Sequence, residues 1–407
     1  MKALAANAVD GGQPSHMTDL DEFRAEVRAF LDENVTAAMR DAPRTIMLLD
    51  VDLQQQWHRI LAQKGWAVPS WPQEWGGTGW SAEQLAIFNE ELIAANAPPL
   101  SPNLGMIGPV LVALGNDEQR ERFLPPLVNG DVVWCQGYSE PGAGSDLASL
   151  SLKAVPEGDE YVLNGQKTWT SYAHRADWMF CLVRTASLDR PQKGITFLLV
   201  DMKSPGITVR PIRSIDGLHH LNEVFFNDVR VPVENRIGAE GEGWSVAKYL
   251  LEHERTGVAG TAYLRNRLKQ VIDLYESFTA GEGERAAITS DQFRSERAAI
   301  EIELMSLDAL ADPSLVSDPQ NCRASILKLR GSEMEQQISE LGRRCLGADA
   351  AIDYSHVLEH PDAPSPGPEG AGDIMLGYLL GRAATIFGGS SEVQKNIIYK
   401  QLSRVQP

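Results

Sequence analysis

Six short runs rich in β-branched and aromatic residues crowd between Val132 and Ile237, and the sequence on either side of them carries helical spacing instead. The runs are VVWCQGYS, EYVLNGQKTWTS, WMFCLVR, GITFLLVDM, GITVRPI and NEVFFNDVRVP, punctuated by Gly, Pro, Asn and Asp, which reads as strands joined by turns. Upstream, Leu20, Phe23, Val27, Phe30 and Leu31 fall on one face of a helix beginning at Asp19, and similar patterns follow over residues 54–64, 82–95 and 108–114. Downstream, the acidic turn GAEGEGW leads into long helical patterns, interrupted by a Pro/Gly-rich segment over residues 361–372 that is expected as an exposed loop. Segregated strands and helices favour α+β layers over an alternating α/β sheet, and no internal repeat points to a solenoid. The expected organisation is a flexible leader (1–16), an N-terminal helical domain (17–131), a central β domain (132–240) and a C-terminal helical bundle (241–407). A chain of 407 residues suits such a division, because one core rarely serves that length.

Charge narrows the function classes. With 37 Lys+Arg against 55 Asp+Glu the net charge is −18, and no basic cluster is dense enough to grip nucleic acid or an anionic membrane surface. No apolar run approaches the roughly 20 residues needed to span a bilayer, and residues 1–16 lack the apolar core of a secretion signal. A cytoplasmic protein is expected. Cys135, Cys181, Cys322 and Cys345 are far apart and show no metal-ligand spacing, so they are expected reduced and mostly buried. P-loop, HExxH and GxSxG patterns are missing, and the adjacent His219 and His220 would diverge on a strand, so no metal site is expected.

Three places remain as candidates for chemistry. The segment from Ser139 to Asp146, SEPGAGSD, follows an apolar strand; it is either a plain turn or a backbone cradle for an anion or a flat polar ring. Gly388-Gly389-Ser390-Ser391-Glu392 precedes the helical VQKNIIYKQL and reads as a Ser-capped helix start or a phosphate-recognising one. In WSVAKYLLEHERTGVAGTA the stripe Ala247, Leu250, Leu251, Val258 and Ala262 marks a buried face, and Glu254 falls on it. A carboxylate there is either paired, for instance with Arg255, or kept as a base whose pKa burial raises toward neutrality.

Five motifs taken in order, WAVPSWPQEWGG (66–77), YSEPGAGSD (138–146), LNGQKTWTS (163–171), NEVFFNDVRVPVENRIG (222–238) and IFGGSSEVQKNII (386–398), resemble the acyl-CoA dehydrogenase family. The resemblance runs from about Met17 to Val405. It implies an N-terminal helical domain, a central β domain and a C-terminal four-helix bundle, in agreement with the pattern of strands and helices. It also implies FAD as cofactor and oxidation of an acyl-CoA thioester to its trans-2-enoyl form. On the matching motifs, Gln136, Tyr138 and Ser139 correspond to the strand beside the flavin ring, and Ser145 to a residue near the pyrophosphate and the CoA chain. Trp169 and Ser171 correspond to the pair that packs on the flavin and bonds its polar edge. Ser390 and Glu392 correspond to contacts with the ribose or adenine end, and Arg255, Gly388 and Gly389 to the substrate side.

The family places its base in two alternative positions. In the commoner one a Glu precedes the Gly of a Gly-Thr/Ser motif; here that slot is Gly388, which has no proton-accepting side chain. In isovaleryl-CoA and long-chain acyl-CoA dehydrogenases the base directly precedes an Arg of the bundle helix, and here that slot is Glu254 before Arg255. The resemblance thus implies that Glu254 takes the α-proton while flavin N5 accepts hydride from the β-carbon. The thioester carbonyl would be polarised by the ribityl hydroxyl and a backbone N–H near Gly388. The small Gly388 leaves room for a branched or bulky acyl group.

Two family features are poorly matched. LRNRLKQVIDLYESFTAGEGER has no clear Arg-x-x-Phe-Gly, and the usual Gln-x-x-Gly-Gly is Arg344-Cys345-Leu346-Gly347-Ala348. Both normally serve a neighbouring subunit's FAD, so the expectation is a tetramer: a homotetramer, or an α2β2 heterotetramer in which a paralogous subunit supplies those contacts. Electron-transfer flavoprotein is the implied electron acceptor. Rival readings are a non-catalytic subunit kept for assembly, and an acyl-CoA oxidase on the same fold.

Overall fold

The protein's structure, a computed structural model, describes residues 13–41, 50–258, 260–279, 286–311, 318, 322–360 and 363–403, without the side chains of residues 13–18, 41 and 252–258. Among the described residues six α-helices come first: α1 (Gln13–Asn34), α2 (Ala37–Asp41), α3 (Val51–Lys64), α4 (Ala82–Ala94), α5 (Pro102–Leu114) and α6 (Asp117–Val128). Sequence chemistry fixes their starts. Asp50 caps α3, and Ser81 with Gln84 and Asn116 with Gln119 form reciprocal capping boxes on α4 and α6. The helix α1 takes in Gln13–His16, so the last four residues of the expected leader are helical; residues 1–12 lie outside the described residues. Expected from residue 108, α5 begins at Pro102, where a proline suits the first helical turn. A Cβ on Gly108 of this helix would collide with the Trp71 indole, so the glycine lets Trp71 lie across α5.

One eight-stranded sheet follows: β1 (Trp134–Gly137), β2 (Lys153–Glu157), β3 (Glu160–Ser171), β4 (Trp178–Arg184), β5 (Ile195–Asp201), β6 (Ile207–Arg213), β7 (His219–Pro232) and β8 (Arg236–Ile237). Its order is β6-β7-β3-β2-β4-β5-β8, with β1 added in parallel beside β4. Strand β2 carries only one buried residue, Ala154, which is why no apolar run announces it. Six of the remaining strands match the six runs, and the two-residue β8 lies beyond the last of them.

The C-terminal part comprises α7 (Gly243–Val258), α8 (Thr261–Thr279), α9 (Ser290–Ala311), α10 (Arg323–Leu346), α11 (Ser355–Glu359), α12 (Ala371–Leu380) and α13 (Ser391–Leu402). Helices α8, α9, α10 and α12 share one apolar core through Leu268, Leu304, Ile338 and Ile374, among others, giving the expected bundle. Helix α7 leaves that bundle's core and buries Val246, Ala247 and Leu250 with Leu104 and Ile107 of α5 and Phe197 of β5. It therefore joins the three regions. The stripe read as one helix through Ala262 is corrected here: α7 ends at Val258, and Ala262 belongs to α8. All four cysteines are free and buried. No described helix is long and apolar enough to cross a membrane.

Candidate active site

Strand β1 runs out at Gly137, and the next three residues are tied to β3. The Thr168 N–H donates to the Ser139 carbonyl at 2.9 Å. Lys167, on β3, is 0% exposed; its Nζ donates to the Tyr138 carbonyl at 3.0 Å and to Glu140 Oε1 at 2.8 Å. Glu140 also accepts from the Ser151 N–H at 2.6 Å, the Ser151 hydroxyl at 2.9 Å and the Leu152 N–H at 2.9 Å. Burial pushes the Glu140 carboxyl up, but the Lys167 charge and hydrogen bond, together with the two backbone N–H groups, outweigh it and hold the group below the ordinary carboxylate range. This buried pair is absent from the sequence-based candidates. Its signal was a Glu at the start of the turn after an apolar strand and a Lys inside a strand run, where burial of either charge requires a mate.

The pair anchors an unusual surface. The β3–β7 register shifts between Lys167 and Thr170, and on this bulge Trp169 adopts φ +59, in the left-handed region that L side chains avoid. Its side chain is 60% exposed, an isolated large ring facing solvent from a strained backbone. Ser171 follows, paired with Leu221 on β7. Tyr138 packs edge-on against Phe180 and Phe197, and Gln136 stands opposite Phe180 on β4. Beyond Glu140 a turn closes through reciprocal Glu140 and Ala143 backbone bonds; a Cβ on Gly142 or Gly144 would meet nothing within 4 Å, and Ser145 is exposed. Gln136, Tyr138, Ser139, Ser145, Trp169 and Ser171 thus lie on β1, the end of β3 and the turn that follows β1.

A second group sits at the start of α13. Gly388 and Gly389 have φ of +64 and +86, and Ser390 caps the helix by accepting from the Val393 N–H. Glu392 is exposed in the first turn, and its own N–H and the Ser390 hydroxyl hold its carboxyl below the ordinary value. The preceding segment is gripped from α10: Lys328 Nζ donates to the Ala384 carbonyl at 2.9 Å, and Gln336 Nε2 donates to the Gly381 carbonyl at 3.0 Å. Glu254 and Arg255 lie on α7, but their side chains lie outside the described residues.

Other sequence candidates resolve into structural roles. His219 Nε2 bonds Asn222 Oδ1 at 2.8 Å and its ring stacks on His174, whereas His220 turns inward to Asp216 Oδ2 at 2.9 Å. Arg344, in the slot where a Gln was expected, is held by Glu296 of α9 at 2.5 and 2.6 Å.

An exposed indole on strained backbone, a strand end with hydroxyls and an open glycine turn fit a flat amphipathic ring carrying an anionic tail. FAD is such a group. Comparisons with known proteins agree. The sequence profiles for the acyl-CoA dehydrogenase N-terminal, middle and C-terminal domains match residues 17–131, 135–229 and 241–403. The chain is 36% identical over 395 residues to acyl-CoA dehydrogenase IpdE1 of Mycobacterium tuberculosis, covering 95% of this chain and 98% of that one. It superimposes on a chain of the ChsE4-ChsE5 complex from Mycobacterium tuberculosis with a TM-score of 0.78 and 30% identity, covering 98% of this chain and 100% of that one. The Tcur3481-Tcur3483 steroid ACAD gives a TM-score of 0.79 at 28% identity, with 98% and 100% covered.

Proposed function

The chain belongs to the acyl-CoA dehydrogenase family of FAD-dependent oxidoreductases, and from that premise we propose that Glu254 is the base that takes the α-proton of a bulky acyl-CoA thioester. One observation carries this assignment. Leu250 of α7 is fully buried between α5 and β5, and position 254 follows one helical turn later, whereas the alternative slot is Gly388, a glycine at left-handed φ.

The other residues take roles by position. Gln136, Tyr138, Ser139, Trp169 and Ser171 hold the flavin end of the cofactor, with the indole walling its ring from water. Ser145 serves the pyrophosphate and the CoA chain, and Ser390 and Glu392 the ribose or adenine end. When bound, FAD supplies the hydride acceptor, its N5, for the substrate β-carbon. A backbone N–H near Gly388 polarises the thioester carbonyl, which makes the α-proton acidic enough for a carboxylate. Arg255, Gly388 and Gly389 line the substrate side, and the missing side chain at Gly388 leaves room for a polycyclic or branched acyl group. A neighbouring structure titled a steroid ACAD supports that substrate class.

We further propose an α2β2 heterotetramer with a paralogous subunit, rather than a homotetramer, passing its electrons to electron-transfer flavoprotein. Arg344 is engaged by its own subunit's Glu296, and two structural neighbours are titled as two-protein assemblies. The visible spectrum of the purified chain, before and after anaerobic addition of a mixed set of acyl-CoA thioesters including steroid ones, tests the reading. Yellow protein that bleaches marks a dehydrogenase holding its own FAD. Colourless protein that turns yellow and bleaches only with a paralogue marks the heteromer. Yellow protein that no thioester bleaches, alone or with a paralogue, would refute the proposed reaction.

A further inference from the structure

We infer that Lys167 is a positioning residue for the flavin site, aiming the Ser139 N–H at the polar edge of the ring; this rests on the reading that Ser139 serves that end of the cofactor. Lys167 is 0% exposed, and its Nζ donates to the Tyr138 carbonyl at 3.0 Å. In a trans peptide a carbonyl and the N–H that follows it point in opposite directions. Holding the Tyr138 carbonyl on Lys167 therefore turns the Ser139 N–H away from the buried cation. The Thr168 N–H, donating to the Ser139 carbonyl at 2.9 Å, fixes the next peptide, so both planes flanking Ser139 are set from β3.

Ser139 itself keeps its donors unspent. Neither its N–H nor its hydroxyl bonds to a described residue, and it is partly exposed between buried Tyr138 and buried Glu140. The cation that holds it is held in turn: Glu140 Oε1 accepts from Nζ at 2.8 Å, and the N–H groups of Ser151 and Leu152 fix the carboxylate. Stability alone does not call for such a couple, because apolar residues of similar volume often replace a buried ion pair without loss. An apolar side chain cannot, however, hold the Tyr138 carbonyl. A donor fixed at the polar edge of the ring favours the flavin form that carries more negative charge there, the reduced one. Removing the hold should therefore lower the flavin midpoint potential.

The test compares the flavin-loaded protein, with its paralogous subunit where FAD requires one, with three variants at this strand. The Glu140→Gln, Lys167→Met double variant exchanges one neutral couple for another and removes the donor to Tyr138. Glu140→Gln alone keeps that donor, and Ser139→Pro, at a strand end where proline is tolerated, removes the N–H itself. Glu91→Gln, which loosens the α1–α4 clamp, controls for destabilisation alone. Midpoint potential is read by redox titration and flavin affinity by fluorescence. In the double variant and in Ser139→Pro, reduced flavin should lose about tenfold more affinity than oxidised flavin, a midpoint lower by about 30 mV. Glu140→Gln, which loses a negative charge and keeps the donor, should stand at or above the parent, and Glu91→Gln at the parent's value. A double variant at the parent's potential overturns the inference, as does Ser139→Pro at that potential or Glu140→Gln falling as far as the double variant. If the double variant fails to fold, Lys167→Leu in the same Glu140→Gln background takes its place. A parent that takes up no flavin, alone or with a paralogue, defeats the FAD reading instead, and the inference falls with it.

Discussion

Replacing Lys167 by methionine removes the cation from a pair in which Lys167 is 0% and Glu140 5% exposed at the side chain. Glu140 keeps three donors, from Ser151 and Leu152, so its hydrogen bonding survives while its charge loses the only counter-ion within bonding distance among the described residues. Breaking a buried pair in this way costs about 3–5 kcal/mol. The surviving donors place the expectation at the lower end, about 3 kcal/mol, read as a fall in melting temperature. The pH dependence carries the diagnosis. In the parent the carboxyl is held below its unfolded value, so its stabilisation is present above the unfolded pKa and is lost as pH falls through the folded one. Without Lys167, burial dominates and the folded pKa rises above the unfolded one, so the penalty is largest near neutrality and is relieved as the carboxyl protonates. The gap between parent and variant should therefore narrow from pH 7 toward pH 5 in thermal unfolding. The Glu140→Gln, Lys167→Met double variant should lose less than the sum of the singles by more than about 1 kcal/mol. A pH-independent gap with additive singles would refute the reasoning.

Trp169→Gly relieves a left-handed backbone at the same time as it removes the exposed ring, so the flavin-free protein should be as stable as the parent or more so. Flavin affinity by fluorescence titration should nevertheless fall at least about tenfold, the equivalent of 1.4 kcal/mol. Glu91→Gln removes the carboxylate that clamps α1 to α4, where it accepts from Arg24 at 2.5 Å and from Arg28 at 2.8 Å. Because Arg24 is partly exposed and Arg28 exposed, the expected loss in thermal unfolding at pH 7 is about 1 kcal/mol. Burial raises the Glu91 carboxyl and the two arginine bonds outweigh it, so its contribution exists above the unfolded pKa and the difference from the variant should vanish as pH falls through the folded one.

Much of the fold was legible because its strands are apolar runs bounded by turn residues. Runs such as Ile195–Asp201 are buried on both faces, and buried strands read as continuous hydrophobic stretches. Strand β2 escaped for the opposite reason: Val155 is exposed and only Ala154 faces inward. The break between α7 and α8 was illegible because the apolar spacing continues through Val258 to Ala262 in phase, and only the Ala259-Gly260 pair hints at an interruption. In the candidate site, motif chemistry pointed to Trp169 but not to its left-handed backbone, since nothing local reveals a bulge that depends on pairing with β7. The Lys167 and Glu140 pair was hidden by distance, 27 residues apart in the chain and adjacent only after β1 and β3 meet.

The central claim is that Glu254 removes the α-proton, and anaerobic flavin reduction by Glu254→Gln tests it most directly. Parent and variant, assembled identically, are mixed with the thioester that bleaches the parent fastest, and flavin absorbance is followed. The account predicts unchanged flavin content and ligand binding with reduction slowed by about 10²- to 10⁴-fold, the usual contribution of a positioned base. Reduction at the parent's rate would contradict it and move the base to another residue.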